Sequence, residues 1–392
     1  MNELNVALVH DHLMKYGGAE RVLSALHGLF PKAPIYTLYA DDRVIREHFP
    51  NAIIHTTFLQ RFPAAYRRRF RYVAPLAISA IEGIDLSAYN VVISSSAFFA
   101  KGVITRPDAL HISYCHTPPR ALWKTGEEPA PSLISGLFGG GVATHFLRLW
   151  DAQAASRVDR FVANSHAVRS RIGKYYRKGA AIIYPPVEPD NGISGTRTSP
   201  LDKRLILSSL PEDFFLVVSQ LYPHKRVDVA VEAFGKLKYP LVIVGDGPQR
   251  EELEALAGAR TMFLGHQPDD VVQECYKRCR AFIHPGEEDF GMSAVEAMFA
   301  GKPVLAYRRG GVCESVIEGE TGEFFDALHP AVLADGVRRL NDAIASYDPN
   351  RIREVAARFG KDRFAKEFRE FLREELIRHM GKIQRQKNPV VY

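Results

Sequence analysis

One pattern limits how this chain can fold, and it occurs twice. Short apolar runs alternate with longer stretches of helical spacing up to residue 184. The alternation stops in a polar stretch that opens with Pro185-Pro186 and ends near Thr198, then restarts at Phe214 and continues to Phe325. Runs that are apolar throughout fit strands buried on both faces of a parallel sheet. The helical stretches between them supply the crossovers that parallel pairing needs. Strands are expected at residues 4–9, 35–38, 90–94, 110–114, 157–164 and 180–184 of the first half. In the second half they are expected at residues 214–219, 241–245, 260–264, 280–283, 303–306 and 321–325. The fold class is therefore α/β, with two doubly wound domains and a cleft between them. The expected boundaries are residues 1–190, a linker at 191–210, residues 211–360, and a charged amphipathic helix in 361–392.

The second half carries the most informative segment, Gly286-Glu287-Glu288-Asp289-Phe290-Gly291-Met292-Ser293-Ala294-Val295-Glu296-Ala297. It follows the run at 280–284, and residues 291–300 have helical spacing that Gly301 and Pro303 end. An acidic loop thus leads into a helix N-terminus, where amides and the helix dipole favour an anion. Carboxylates beside an anion site make sense if they bind hydroxyls. Glu288 and Glu296 stand eight residues apart, one in the loop and one about two turns into the helix. That spacing suits a ligand with phosphates in the middle and a hydroxylated ring at each end, such as a nucleotide sugar. The alternative is a capping acidic loop followed by a solvated helix glutamate.

Three further places invite chemistry. Gly17-Gly18 lies between the first strand and the first helix, and permits close backbone approach to a phosphate. It matches neither a dinucleotide fingerprint nor a Walker loop. His116 ends the strand expected at 110–114, where it is either a crevice-facing group or a hydrogen-bonded structural histidine. Lys225-Arg226 stands between the first strand of the second half and its helix, a place from which a lysine can meet a diphosphate. The glycine-rich apolar stretch 134–142 is expected to be a loop over the crevice.

Charge is unevenly spread. Residues 1–185 hold 22 lysines and arginines against 13 acidic residues, while the whole chain carries only +6. The first half should therefore meet an anionic partner. Within it, Tyr66-Arg67-Arg68-Arg69-Phe70-Arg71-Tyr72 interleaves basic and aromatic residues ahead of an apolar stretch. This suits contact with an anionic membrane surface or a lipid phosphate, or else a plain solvated basic face. Nothing else in the chain resembles a nucleic-acid module, so nucleic acid is not expected as a partner. No apolar run reaches the length of a membrane span, and the first residues lead straight into a strand rather than a signal peptide. The four cysteines fit no zinc template and are expected to be reduced thiols.

Taken together, these segments resemble the retaining GT-B glycosyltransferases of family 4, which include many bacterial mannosyl- and glucosyltransferases of polysaccharide assembly. The resemblance covers nearly the whole chain. It is most specific at Lys225-Arg226-Val227-Asp228, Val244-Gly245-Asp246-Gly247-Pro248 and Glu288-Asp289-Phe290-Gly291 ending at Glu296-Ala297, with Gly17-Gly18-Ala19-Glu20 and His116-Thr117-Pro118 in the first half. It implies two Rossmann-like domains facing a deep cleft, with the nucleotide held by the second domain and the acceptor by the first. It also implies that the last helix returns to the first domain. Carried over by position, Lys225 holds the donor diphosphate, Glu296 the ribose hydroxyls and Glu288 the sugar hydroxyls. The amides near Phe290 and Gly291 sit at sugar and phosphate. Gly18, beside Gly17, brings an amide to the diphosphate, and His116 lies beside the transferred sugar. The family usually has an arginine where this chain has Gln220, so Arg226 or Arg21 is the expected substitute cation. No Asp-x-Asp motif occurs, and no metal or other cofactor is expected.

The implied activity is transfer of a sugar, with mannose from GDP-mannose the first choice, to a polyprenyl-diphosphate-linked or other glycan in cell-surface polysaccharide synthesis. The expected location is the cytoplasmic face of the plasma membrane, peripherally bound through Arg67, Arg68, Arg69 and Arg71. Two other functions fit the same fold: a sugar-nucleotide epimerase, and a sugar-nucleotide-binding protein whose catalysis Gln220 has weakened.

Overall fold

The computed structural model describes residues 4–63, 70–123, 141–188 and 199–387. The chain forms two compact units, one of Met1–Pro186 with Asp362–Tyr392 and one of Val187–Lys361.

The first unit contains β1 (Val6–His10), β2 (Ile35–Thr37), β3 (Ile54–Thr56), β4 (Val91–Ser96), β5 (Leu110–Cys115), β6 (Arg160–Ala163) and β7 (Ala180–Ile182). They pair in parallel in the order β3-β2-β1-β4-β5-β6-β7. The second unit contains β8 (Phe215–Val218), β9 (Leu241–Val244), β10 (Thr261–Gly265), β11 (Ala281–His284), β12 (Val304–Tyr307) and β13 (Gly322–Phe325). These too are parallel, in the order β10-β9-β8-β11-β12-β13. Strands β1, β4, β5, β9, β11 and β12 are buried along their whole length, as continuous apolar runs in a parallel sheet require. Each sheet reverses its strand order between two neighbours, β1 and β4 in one and β8 and β11 in the other. Loops leaving the carboxyl ends of such a pair diverge and open a crevice.

Three local expectations need correction. Strand β3 was not foreseen, because Ile54 is only half-buried and His55 and Thr56 are exposed on an edge. Arg157 closes the helix Gly141–Arg157 instead of opening a strand. The proposed linker 191–210 contains a helix, Pro200–Ser209, whose N-cap Ser199 accepts from the amide of Asp202. Its Ser-Pro start reads as linker chemistry but is also the chemistry of a helix entry. Residues 189–198 and most of the stretch expected to form a crevice loop, 134–140, lie outside the described residues; Gly141 and Val142 begin a helix.

The last helix, Lys361–Lys387, buries Phe364, Phe368 and Leu372 in the core that contains Leu8, Ile35 and Tyr114. Their spacing of four residues puts them on one helix face. At roughly 1.5–3 kcal/mol per fully buried side chain, these three contacts anchor the helix to the first unit. Glu375 adds an ion pair with Arg160 at 2.5 Å. Among the described residues no helix is long and apolar enough to cross a membrane.

Candidate active site

In the second unit, the loop after β8 passes through a single 3-10 turn, Pro223–Lys225, into helix α1 (Val227–Lys236). Arg226 joins the two with φ 53° and ψ 36°, a left-handed conformation that costs a non-glycine residue roughly 1–2 kcal/mol. Asp228 holds the bend: its Oδ2 lies 3.0 Å from Arg226 Nη2, and this hydrogen bond raises the arginine pKa. Arg226 thus has a partner of its own, whereas Lys225 extends elsewhere. Its Nζ lies 2.8 Å from Oε1 of Glu288, in the loop after β11.

That loop is held between two backbones. A β-carbon at Gly286 would lie 2.5 Å from the Lys225 carbonyl oxygen, so the loop rests directly on the Lys225 main chain. On its other side the Gly311 amide donates to the Glu288 carbonyl at 2.9 Å. A β-carbon at Gly310 would meet the same carbonyl oxygen at 2.2 Å. Gly291, at φ 88°, then opens helix α2 (Met292–Phe299). Phe290 buries its ring edge-on against Phe359, with centroids 5.4 Å apart. Glu296 is not a solvated helix residue. It is 8% exposed and its Oε2 accepts from the hydroxyl of buried Tyr276 at 2.9 Å. The Gln220 carbonyl accepts from the Tyr222 amide at 2.9 Å and the Ser219 hydroxyl at 3.1 Å.

His284, the last residue of β11, was not foreseen. Burial lowers its pKa; nearby Lys225 acts in the same direction and Glu288 opposes it. The net effect favours the neutral ring. Its Nε2 has no hydrogen-bond partner among the described residues, and a β-carbon on Gly291 would come within 3.3 Å of it.

In the first unit, β1 leads through residues 11–17 to the helix Gly18–Leu29. The amide of Gly17 donates to Oε2 of Glu20 at 2.9 Å. A carboxylate three positions after the N-cap reaches back to the cap amide, as in a capping box. Glu20 Oε1 lies 3.5 Å from His10 Nε2. His10 Nδ1 is 3.1 Å from Ser95 Oγ, which is 2.8 Å from His116 Nε2. Gly17 and His116 are thus joined by side chains from α-helical, β1 and β4 positions. Burial favours a neutral Glu20, but the hydrogen bond and charge of His10 outweigh it and bring the pKa down to about 2. Asp11 accepts four amide hydrogens from Ala97, Phe98, Phe99 and Ala100 at 2.7, 2.9, 2.7 and 2.6 Å. Burial opposes its charge, yet His10 and these amides hold its pKa below the ordinary aspartate value. This carboxylate ties the loop after β4 to the end of β1.

Gly18 is the first residue of that helix, and the Arg21 guanidinium lies 5.8 Å from the centre of the Tyr16 ring. Arg67, Arg68 and Arg69 lie outside the described residues; Arg71 falls in the helix Phe70–Glu82. His10, Asp11, Glu20 and Ser95 escaped sequence reasoning, although two signals were present. Glu20 has capping-box spacing, and His10 ends β1 while Ser95 is the penultimate residue of β4, the two strands that flank the reversal of strand order.

Two parallel-sheet Rossmann-like units, each with its polar cluster at the carboxyl ends of the strands beside the reversal, define an α/β protein of the GT-B type. Residues 202–356 match the model of the family described as Glycosyl transferases group 1. An uncharacterized glycosyltransferase of Methanocaldococcus jannaschii is 26% identical over 55% of this chain and 57% of its own length. A GDP-mannose-dependent alpha-mannosyltransferase of Mycolicibacterium smegmatis is 30% identical over 48% of this chain and 50% of its own. The chain thus spans about half the length of these two curated relatives. Alpha-1,3/1,6-mannosyltransferase ALG2 of Dictyostelium discoideum is 26% identical over 82% of this chain and 86% of its own. Among solved structures, Anabaena HepE in complex with UDP and glucose superposes with a TM-score of 0.69 at 18% identity, covering 95% of this chain and all of HepE. That likeness bears on the fold alone.

Proposed function

We propose that the protein is a metal-independent, retaining glycosyltransferase that moves mannose from GDP-mannose to a lipid-linked glycan. The observation that carries this reading is the Lys225–Glu288 contact at the carboxyl ends of β8 and β11, with buried Glu296 in the helix that follows. One cation for a diphosphate and two carboxylates for hydroxyls are the groups a nucleotide sugar needs. The glycosyl transferases group 1 match over 202–356 and the mannosyl names of two relatives support the same reading.

In this mechanism the bond between the sugar carbon and the diphosphate oxygen breaks. Negative charge grows on the nucleoside diphosphate, where Lys225 and the amides near Phe290 and Gly291 stabilise it. Glu296 binds the ribose and Glu288 the sugar hydroxyls. The acceptor hydroxyl attacks from the leaving-group face and its proton passes to the departing phosphate oxygen. Gly18 and His116 act from the first unit. The acceptor is a polyprenyl-diphosphate-linked glycan, and Arg67, Arg68, Arg69 and Arg71 meet an anionic inner-membrane surface.

The test is to offer labelled GDP-mannose, UDP-glucose and UDP-N-acetylglucosamine with lipid-linked acceptors. Transfer or slow hydrolysis from GDP-mannose is expected. Turnover of UDP-sugars alone would overturn the donor assignment, and none from any donor would overturn the activity.

A further inference from the structure

Ser95 carries one hydroxyl hydrogen and stands between two imidazole nitrogens, His10 Nδ1 at 3.1 Å and His116 Nε2 at 2.8 Å. It can donate to only one of them. The other nitrogen must then carry its own hydrogen for both contacts to be hydrogen bonds. Which of the two it is follows from the far end of the chain. Glu20 is an acceptor, and its Oε1 faces His10 Nε2 at 3.5 Å. A neutral His10 therefore places its single hydrogen on Nε2, toward Glu20, and leaves Nδ1 as an acceptor. Ser95 donates to that nitrogen. His116 must then donate from Nε2, and its Nδ1 holds the lone pair.

We propose that Glu20, His10 and Ser95 are positioning residues that together fix His116 in the Nε2–H form. All three side chains are buried, so water does not compete for these hydrogen bonds. The same carboxylate restrains the Gly17 amide through its other oxygen at 2.9 Å, so one group sets both the start of the first helix and the tautomer of His116. The link to catalysis rests on the proposed role of His116 in sugar transfer; the link to the tautomer does not.

The measurement is the nitrogen-15 shift of the His116 ring in the full chain, labelled at histidine and assigned by the signals lost in His116→Gln. Above the titration range of histidine the parent should show the Nε2–H form. Ser95→Ala should give a mixture of the two forms, and Ser95→Thr, which keeps a hydroxyl, should restore the parent spectrum. Glu20→Gln should act like Ser95→Ala, because an amide can donate to His10 Nε2 and no longer dictates the direction. Turnover of donor should fall about tenfold to a hundredfold in Ser95→Ala, with KM little changed and Ser95→Thr active. A parent ring in the Nδ1–H form at that pH, or a tautomer ratio that Ser95→Ala leaves unchanged, would overturn the proposal. A shifted tautomer with unchanged turnover would uphold the relay and overturn instead the assignment of His116 to the transfer step.

Discussion

Lys225 and Glu288 come from loops that follow different strands, β8 and β11, yet their side chains meet at 2.8 Å. The contact joins the two loops that flank the strand-order reversal of the second unit. Both side chains are about one-fifth exposed, which places them between a surface pair and a buried one. A pair of this kind contributes little to folding. Its proposed use is to hold one cation and one carboxylate at the position where a diphosphate and a sugar would bind.

The first prediction is that this pair matters little for stability. Lys225→Ala and Glu288→Gln should each change the unfolding free energy by no more than about 1 kcal/mol. Urea unfolding of both variants checks this. A loss of several kcal/mol would mean that the pair is structural.

Gly286 makes a contrasting case. An added β-carbon would sit 2.5 Å from the Lys225 carbonyl oxygen, and backbone cannot move aside as a flexible side chain can. Gly286→Ala should destabilise by roughly 1–3 kcal/mol and move the acidic loop off Lys225. Thermal unfolding and donor KM should both change. A variant with parental values for both would show that the loop has room the packing denies.

Glu20 should shape the acid limb of stability. Its pKa in the folded protein, about 2, lies below the ordinary value of 4.5, so the charged form is favoured by folding. Its contribution is complete above about pH 4.5 and is lost as pH falls toward about 2, with a size of order 3 kcal/mol. Glu20→Gln should therefore lower stability at neutral pH and flatten its decline in acid. Part of the decline should remain, since Asp11 is also held below its ordinary pKa. Unfolding curves across pH test the sign, and a variant with the parent's pH dependence would contradict it.

The basic stretch predicts a surface role. Changing Arg67, Arg68, Arg69 and Arg71 together to Gln should weaken binding to anionic vesicles by about 1 kcal/mol per residue. Vesicle sedimentation at low salt is the readout, and equal sedimentation of parent and variant would reject a lipid contact.

Much of this fold is legible because buried parallel strands leave continuous apolar runs, as in Leu241-Val242-Ile243-Val244. The acidic loop is legible because a strand, a loop and a helix follow one another along the chain. What sequence alone hides depends on distant partners. Glu20 and His10 read as an ordinary helix glutamate and a strand-end histidine until Ser95 and His116 are folded beside them. The burial of Glu296 against Tyr276 is hidden for the same reason: twenty residues of chain separate the two. Strand β3 escaped because its exposed residues carry no apolar signal, and the helix Pro200–Ser209 because proline and serine serve both linkers and helix starts.

The most direct test of the account is the single-turnover rate of Lys225→Ala at saturating donor. If Lys225 faces the departing diphosphate, it acts on charge that grows in the transition state, so its loss lowers the rate even when donor is fully bound. The rate should fall by roughly two to three decades, or about 3–4 kcal/mol. Gln220→Arg in the same chain should recover part of that loss, because it returns a cation to the same loop after β8. A Lys225→Ala rate within about threefold of the parent would contradict the leaving-group role of Lys225 and, with it, the central reading of this site.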